Sequence, residues 1–353
     1  MSNAPTVSIA MATYNGERYI AEQLASFAAQ TQPPLELVVG DDGSTDRTVA
    51  MIEDFARTAP FPVHLHCNPR NLGFADNFLT AASRCLGDWI AFSDQDDVWS
   101  PDKLATAAAA MEGSRNRGLV AIGHRLELVD SDLRRIGRSL PDDRGNIVVG
   151  PGSMPAYWCH GGCALLFDAA LVRHIDWTRR PPNLYDWSRD GKPQQRQMAH
   201  DQWISLLANT VGSTRFLSRS LGLFRRHANA TTGSQVVRLS DRLRSAAAID
   251  VDDYRQGASH ARAVADALGS LASNLGGEWA RRMIMMAARY RHRADRLADR
   301  ARLYESGSRS RRFGRILGLL DSSAYGLDPV AALGPKALLK DIAMLARGAR
   351  SRG

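Results

Sequence analysis

Over its first hundred residues the chain alternates short apolar runs with helical patterns, four times in succession, and few folds accept that alternation. Val7–Ala12 reads as a buried strand, and Ile20, Leu24 and Phe27 then recur at helical spacing within Tyr19–Ala29. Leu35–Gly40 is a second strand, and Thr48–Ala56 puts Val49, Ile52 and Phe55 on one helical face. Val63–Cys67, Phe74–Leu86 and Trp89–Ser93 continue as strand, helix and strand. Ser100-Pro101 then opens a helix through Met111, with Pro at its first position. Strands alternating with helices predict a parallel α/β sheet flanked by helices.

In such a sheet ligands bind in the crevice outside the carboxyl ends of the strands. The polar residues fall there. Thr13-Tyr14-Asn15-Gly16-Glu17 follows the first strand and Asp41-Asp42-Gly43-Ser44-Thr45-Asp46 the second. Asn68-Pro69-Arg70-Asn71-Leu72-Gly73 follows the third and Asp94-Gln95-Asp96-Asp97 the fourth. Four consecutive polar loops on one edge predict a ligand crevice. Beyond them Leu119–Gly123 reads as a strand, Arg134–Ser153 as turn-rich and Leu184–Met198 as a loop. His200–Asn209 reads as a helix with Trp203, Leu206 and Leu207 inward, and Leu221–Arg226 as a strand. After Ser234 the strand signals stop; Leu239–Ala248, Ala258–Leu275, Glu278–Glu305 and Pro335–Ala349 all read as helices, with Ser306–Arg315 as a basic hinge.

A carboxylate pair at the end of a buried strand, as in Asp94-Gln95-Asp96, is costly to group without a cation. Hard divalent ions prefer carboxylate oxygens, and magnesium often bridges one to substrate phosphates. A solvated acidic turn is the plainer reading of an isolated pair, but here three other polar loops share its edge.

Residues 7–104 resemble the donor half of the family 2 glycosyltransferases, which have the GT-A fold. The likeness runs through VSIAMATYNGERYIAEQLASFAAQT, LVVGDDGSTDRT, NPRNLGFADNF and DWIAFSDQDDVWSPDKL. The run Ser93-Asp94-Gln95-Asp96-Asp97-Val98-Trp99 is similar to the rhamnosyltransferase-like branch of surface polysaccharide assembly. The resemblance implies a Rossmann-like, mostly parallel GT-A sheet flanked by helices and followed by a helical C-terminal region. It implies that Thr13, Tyr14 and Glu17 line the nucleoside pocket, that Asp42 accepts from a pyrimidine N–H, and that Arg70 approaches the base or diphosphate. Asp94 would hold the ribose, and Asp96 a divalent metal, Mg²⁺ or Mn²⁺, bridging the phosphates. The Asp-Gly run after Asp41 is also good turn chemistry, for which Asp41 and Asp46 suffice.

His200-Asp201-Gln202-Trp203 opens the predicted helix after Met198. Its carboxylate suits an N-cap. Sugar transfer with inversion also needs a base for the acceptor hydroxyl, and the family carries its catalytic Asp where Asp201 stands. Leu223–Gly233 resembles the family segment in which a strand ends in an Arg-x-His-like run. There His227 would complete the metal shell and Arg226 would meet the diphosphate, roles that imidazole and guanidinium suit. Trp158-Cys159-His160-Gly161-Gly162-Cys163-Ala164 resembles the family's acceptor-side strand. Its glycines fit either close approach of substrate or a packed bend.

The chain therefore divides into a transferase domain, 1–233, with a donor half (1–118) and an acceptor half (119–233), and a basic helical region, 234–353. After position 280 there are 17 Lys and Arg against 6 Asp and Glu, a net of +11 in a chain of net +8, so the preceding residues sum to −3. A basic tail points to a polyanionic partner. Pro335–Ala349 carries Leu338, Leu339, Ile342 and Leu345 on one side with Lys336, Lys340 and Arg347 elsewhere, as an interfacial helix does. A lipid-linked saccharide acceptor and peripheral contact with an anionic membrane are coherent with it; so is a terminal helix packed on the domain. Met1–Thr6 is too short for a signal peptide, and no run reaches the ~18–20 apolar residues of a spanning helix, so a cytoplasmic location is expected. The four cysteines, Cys67, Cys85, Cys159 and Cys163, sit in apolar runs and read as buried thiols; Cys159 and Cys163 fit no zinc spacing.

Two rivals share some of these features. A nucleotidyltransferase making the sugar nucleotide would need a Gly-rich first loop, and Ala12–Gly16 has a single Gly. A non-enzymatic nucleic-acid binder would interleave its arginines with stacking aromatics. The tail spreads Tyr290, Tyr304, Phe313 and Tyr325 widely, so no nucleic-acid partner is expected.

Overall fold

The protein is described by a computed structural model covering residues 5–112, 118–141, 145–183, 197–227, 251–305 and 308–347. The expectations for 184–196, for 228–233 and for a helix at Leu239–Ala248 lie outside the described residues. The alternation at the N-terminus folds as read: β1 (Val7–Thr13), α1 (Ile20–Ala28), β2 (Glu36–Asp41), α2 (Thr48–Ala56), β3 (Val63–Cys67), α3 (Phe74–Ser83) and β4 (Trp89–Ser93). β1, β2 and β4 are buried nearly throughout. That fits their unbroken apolar character, since a parallel sheet is covered on both faces. A short strand β5 (Val98–Trp99) follows, and α4 (Lys103–Glu112) starts two residues after Pro101.

The second half brings β6 (Leu119–Val129), β7 (Ile147–Val149), β8 (Leu165–Asp168), α5 (Ala170–Arg173), α6 (His200–Val211) and β9 (Ser213–Arg225). The sheet runs β3-β2-β1-β4-β8-β6-β9-β5, with β7 on β9. β3, β2, β1 and β4 are parallel neighbours. β8 then enters antiparallel between β4 and β6, while β6 and β9 are parallel. The sheet is thus parallel in its donor half and mixed beyond it. β6 and β9 are about twice as long as their apolar cores suggest. Their pairing has register shifts at His124, Arg125 and Glu127, so the inward-facing positions lose strict alternation there.

Four further helices follow: α7 (Val251–Ser273), α8 (Gly277–Glu305), α9 (Arg309–Asp321) and α10 (Pro335–Arg347). The basic hinge read at Ser306–Arg315 is helical from Arg309. The Arg312 side chain is buried, and Ile316 and Leu319 pack inward at helical spacing. One core lies over α1, α2 and α4; the other joins α3 and α6 to α7 and α8 through Phe78, Trp203, Leu207, Leu268 and Met286. The C-terminal helices therefore share an apolar core with the sheet. α10 is held by its buried Asp341, whose carboxylate accepts from Arg300 Nε (2.9 Å), Tyr304 Oη (3.0 Å) and Tyr325 Oη (2.8 Å). Its apolar stripe is split: Leu338 and Leu345 pack inward, Leu339 and Ile342 are exposed.

Candidate active site

The four polar loops meet at the carboxyl edge of β1, β2, β3 and β4. The Asp41 carboxylate closes its own turn, accepting from Ser44 N (2.9 Å) and from the Thr13 hydroxyl (2.9 Å). Gly43 at φ 89° supplies the left-handed residue that this turn needs. Asp46 accepts from Thr48 N (3.0 Å) and Glu17 N (3.1 Å), and Glu17 accepts from Arg47 N (2.9 Å). Asp41 and Asp46 thus do the turn work expected of them. Asp42 is also engaged: it accepts from Leu72 N (2.7 Å), Gly73 N (2.8 Å) and Asn68 Nδ2 (3.1 Å), pinning the loop before α3. A carboxylate has about four acceptor positions, so roughly one remains for a ligand. Thr13 is buried; Tyr14, Glu17 and Arg70 are exposed on the rim.

Gln95 ties the first and fourth loops together. Its side chain accepts from Tyr14 N (2.9 Å) and donates to Tyr14 O (3.0 Å). A Cβ on Gly16 would overlap that side chain, which explains the single glycine of the first loop.

The acidic run turns inward. Asp94, Asp97 and Cys163 bring ligand atoms within 4.8 Å of one another. Burial, then the charges of Asp97, Asp96 and Asp201, push the Asp94 carboxyl well above its usual range. Burial also drives Asp97 upward, next to the Cys163 thiol. Lys103 answers this charge from beneath. It is wholly buried, donates to Cys163 O (2.9 Å) and lies 3.5 Å from the centre of the Trp99 ring. Burial lowers its ammonium and the attraction of Asp97 and Asp94 opposes that. The sequence does carry a signal for it: Lys103 falls in register with Ala107, Ala110 and Met111 on the buried face of α4.

Asp96 points elsewhere, to β9. Its Oδ2 lies 2.8 Å from Nε2 of His227. The two candidate metal ligands are therefore neighbours, with Tyr19 packed 4.7 Å from the His227 ring. Arg225, and not Arg226, faces the acidic loop. Its Nε donates to Asp96 O (2.7 Å), its Nη1 to Ser131 O (2.6 Å), and Nη2 pairs with Glu22. Its backbone N–H donates to Asp97 Oδ1 (3.1 Å). Arg226 lies over Phe224, guanidinium carbon to ring centre 4.9 Å. Strand alternation decides between the two arginines, and the register was legible only once β9 was placed.

Asp201 sits in the first turn of α6 but is not its N-cap. Ala199 precedes the helix, and Gln202 Oε1 reaches back to accept from Ala199 N (3.3 Å). Burial raises the Asp201 carboxyl to about 6 against hydrogen bonds from the Gln202, Asp201 and Gly162 amides. Its neighbour His200 is a packed peg, stacked 4.0 Å from Phe78 and edge-on to Phe92 at 4.8 Å. Burial holds its imidazole down, to about 3. A Cβ on Gly162 would stand 2.6 Å from His200 Nε2, so Gly162 serves the packed bend, while Gly161 is open and exposed. The segment expected as a strand is irregular to Gly161 and forms one 3₁₀ turn before β8. The cysteines are all free; Cys85 and Cys163 are buried as expected, but Cys67 is exposed at the end of β3.

The family model described as glycosyl transferase family 2 matches residues 8–167. The putative glycosyltransferase EpsE of Bacillus subtilis is 31% identical over 195 residues, covering 54% of this chain and 68% of that protein. The chain belongs to glycosyl transferase family 2. An uncharacterized glycosyltransferase of Nostoc is 29% identical over 159 residues, 43% of this chain and 47% of its own length, so the chain spans about half of that relative. The dTDP-rhamnosyl transferase RfbG of Shigella flexneri is 36% identical over 101 residues, 28% of this chain and 35% of that protein. Among solved structures, S. aureus TarS residues 1–349 in complex with UDP superposes with a TM-score of 0.48 at 17% identity, covering 91% of this chain and 93% of that one. In this family 2 chain the matched segment holds the whole donor edge and ends at β8; Asp201 and His227 lie beyond it.

Proposed function

We propose that the chain transfers a sugar, with inversion, from a nucleoside-diphosphate sugar to a hydroxyl of a saccharide or lipid-linked saccharide. The observation that carries this reading is the gathering of Asp94, Asp96 and Asp97 with His227 and Asp201 at one sheet edge.

The donor set fits a divalent cation. Four carboxylates crowd the edge against Lys103 and Arg225, and Arg225 is shared with Glu22. Asp96 and His227 offer a carboxylate oxygen and an imidazole nitrogen, ligands suited to Mg²⁺ or Mn²⁺. Bound there, the ion would neutralise charge on the leaving diphosphate. Thr13, Tyr14, Glu17, Asp42 and Arg70 would frame the nucleoside, Asp94 the ribose and Arg226 the diphosphate rim. The Asp201 carboxylate takes the proton of the acceptor hydroxyl. The acceptor oxygen bonds to the anomeric carbon as the bond to the diphosphate oxygen breaks, and the electron pair leaves with the nucleoside diphosphate. A base raised toward neutral pH by burial suits that step.

The SDQDDVW run and the Shigella relative support rhamnose as the donor sugar, carried on dTDP. Residues 1–118 would form the donor half and 119–233 the acceptor half, with 234–353 as a helical region. Among the described residues no helix is long and apolar enough to cross a membrane. Exposed Phe313, Leu317, Leu339 and Ile342, set among arginines and lysines of α9 and α10, favour peripheral contact with an anionic cytoplasmic leaflet.

The test is nucleoside-diphosphate release from UDP-, GDP- and dTDP-sugars, with Mn²⁺ or EDTA, on wild type and Asp201→Asn. Turnover of one donor that needs metal and is lost in the variant is expected. Turnover surviving Asp201→Asn removes Asp201 as the base, and no turnover of any donor removes the reading itself.

A further inference from the structure

The Lys103 ammonium is wholly buried, and a charge in the interior is costly unless it is paired and hydrogen-bonded. Burial pushes it down to about 7, against the attraction of Cys163, Asp97 and Asp94. A group serving only to balance the acidic run would pair with one of its carboxylates directly. Nζ instead donates to the Cys163 carbonyl (2.9 Å), and it lies over the Trp99 ring. The contact fixes a piece of backbone.

That backbone is the 3₁₀ turn Gly162–Ala164 ahead of β8, and it is held on two sides. On one side the Cys163 thiol donates to the Asp97 carboxylate of the acidic loop. On the other the Gly162 amide donates to the Asp201 carboxylate, opposing the burial that raises it to about 6. Gly162 also lies flat against His200, since a Cβ there would stand 2.6 Å from Nε2. The His160 amide, just before the turn, donates to Ser205 Oγ (3.1 Å) of the same helix. The turn therefore bonds α4 and the acidic loop to the start of α6.

We propose that Lys103 is a positioning residue for the transfer: through the Gly162-Cys163 turn it fixes the Asp201 carboxylate relative to the acidic loop. An in-line displacement needs the base and the leaving diphosphate on opposite sides of the anomeric carbon, and ~1 Å of misplacement can cost ~10²-fold in rate. Without the ammonium the Cys163 carbonyl loses its partner, the turn loosens, and the Gly162 amide leaves Asp201. Burial then acts on that carboxylate with less opposition, so it holds its proton to higher pH. This rests on Asp201 as the base.

The test uses the full chain with Lys103→Met, which keeps the stem over Trp99 and removes the charge, and with Cys163→Ala and Cys163→Ser. Cys163→Ala breaks the bond to Asp97 without changing a charge, and Cys163→Ser keeps a donor there. Asp94 and Cys159 are the titratable groups whose charge meets Asp201, and every variant leaves them in place. The first readout needs neither donor nor metal. It is the pH at which the Tm gap between each protein and the same protein carrying Asp201→Asn is half closed. With no other change that midpoint should lie near 6. It should rise by about half a pH unit or more in Lys103→Met and in Cys163→Ala, and return in Cys163→Ser. The second readout is turnover. In Lys103→Met kcat should fall about tenfold or more, while UDP and dTDP affinity in Mn²⁺ stays within about threefold. Midpoints unmoved in Lys103→Met and Cys163→Ala, or a fall in kcat matched by the fall in nucleotide affinity, overturns the proposal. Turnover that survives Asp201→Asn overturns the base and this proposal with it; turnover lost there with unmoved midpoints overturns this proposal alone. If circular dichroism shows Lys103→Met unfolded, the two Cys163 variants decide.

Discussion

Nε2 of His227 lies 2.8 Å from Oδ2 of Asp96, across 131 residues of chain. β9 delivers the histidine and β4 the carboxylate, and Arg225 locks the two segments by bonding the Asp96 carbonyl and the Asp97 carboxylate. Removing either partner should cost metal affinity. Asp96→Asn and His227→Ala are each expected to weaken Mn²⁺ binding, measured by calorimetry in the presence of nucleoside diphosphate. Loss of an outer partner of a metal ligand costs ~10–100-fold, and these should lose at least that much. Unchanged Mn²⁺ affinity in both variants would move the metal to another carboxylate of the run.

Arg225 is the cation this arrangement depends on. Its side chain is 1% exposed, and its partners include two backbone carbonyls. Arg225→Met would leave both carbonyls unbonded in the interior, at ~1–3 kcal/mol each. Urea denaturation should show a loss of about 3 kcal/mol, whereas Arg226→Met should stay within about 1 kcal/mol. Equal losses at the two positions would mean that the inward arginine has been misassigned.

The donor edge was legible in the sequence because its strands are short, apolar and separated by turn residues with little freedom. Thr48–Ala56 and Val63–Cys67 emerged with the bounds read for them. The acceptor side was less so. Leu165–Asp168 is four residues with no alternation, and β9 carries Arg215, Arg219 and Gly222 within its length, so periodicity missed the first strand and found only the C-terminal end of the second, at Leu221–Arg226. Asp96 and His227 lie side by side, but nothing local said that Asp42 would be spent on backbone amides, or that Lys103 would lie beneath the acidic run. Both depend on contacts between segments distant in sequence. In Arg309–Asp321 charge density masked a helix, because arginine stems cover apolar surface while their heads stay wet.

Asp201 should set a trade between stability and activity. Its carboxyl is raised by burial to about 6 from an ordinary value near 3.8. The folded state therefore favours the protonated form, and above pH 6 the ionised group works against folding. Asp201→Asn should raise Tm at pH 7.5, and the gap should shrink as pH falls through 6 toward 4, where the folded wild type takes up the proton. Transfer should move the opposite way. The kcat/KM of wild type should climb through about pH 6 as the base ionises, and the variant should lose ~10²–10⁴-fold at pH 7.5. A Tm that falls in the variant at pH 7.5 would show that the carboxylate is held by the fold and does not oppose it.

Gly16 and Gln95 give a prediction with its own control. A methyl group on residue 16 would overlap the Gln95 amide, which is fixed at both ends by the Tyr14 backbone. Overpacking of this kind typically costs ~1–3 kcal/mol. Gly16→Ala should therefore lower stability by about that amount and raise the KM for the nucleotide sugar, because the strain falls on the loop that presents Tyr14. Gln95→Ala alone should cost less, about 1–2 kcal/mol for two lost hydrogen bonds to an exposed loop. Adding Gln95→Ala to Gly16→Ala opens the space, so the double variant should be more stable than the sum of the two single losses. A favourable coupling of at least 1 kcal/mol in that cycle would locate the glycine requirement in the Gln95 clamp. Simple additivity would place it in the backbone of the Asn15-Gly16 turn, where Asn15 already stands at φ 49°.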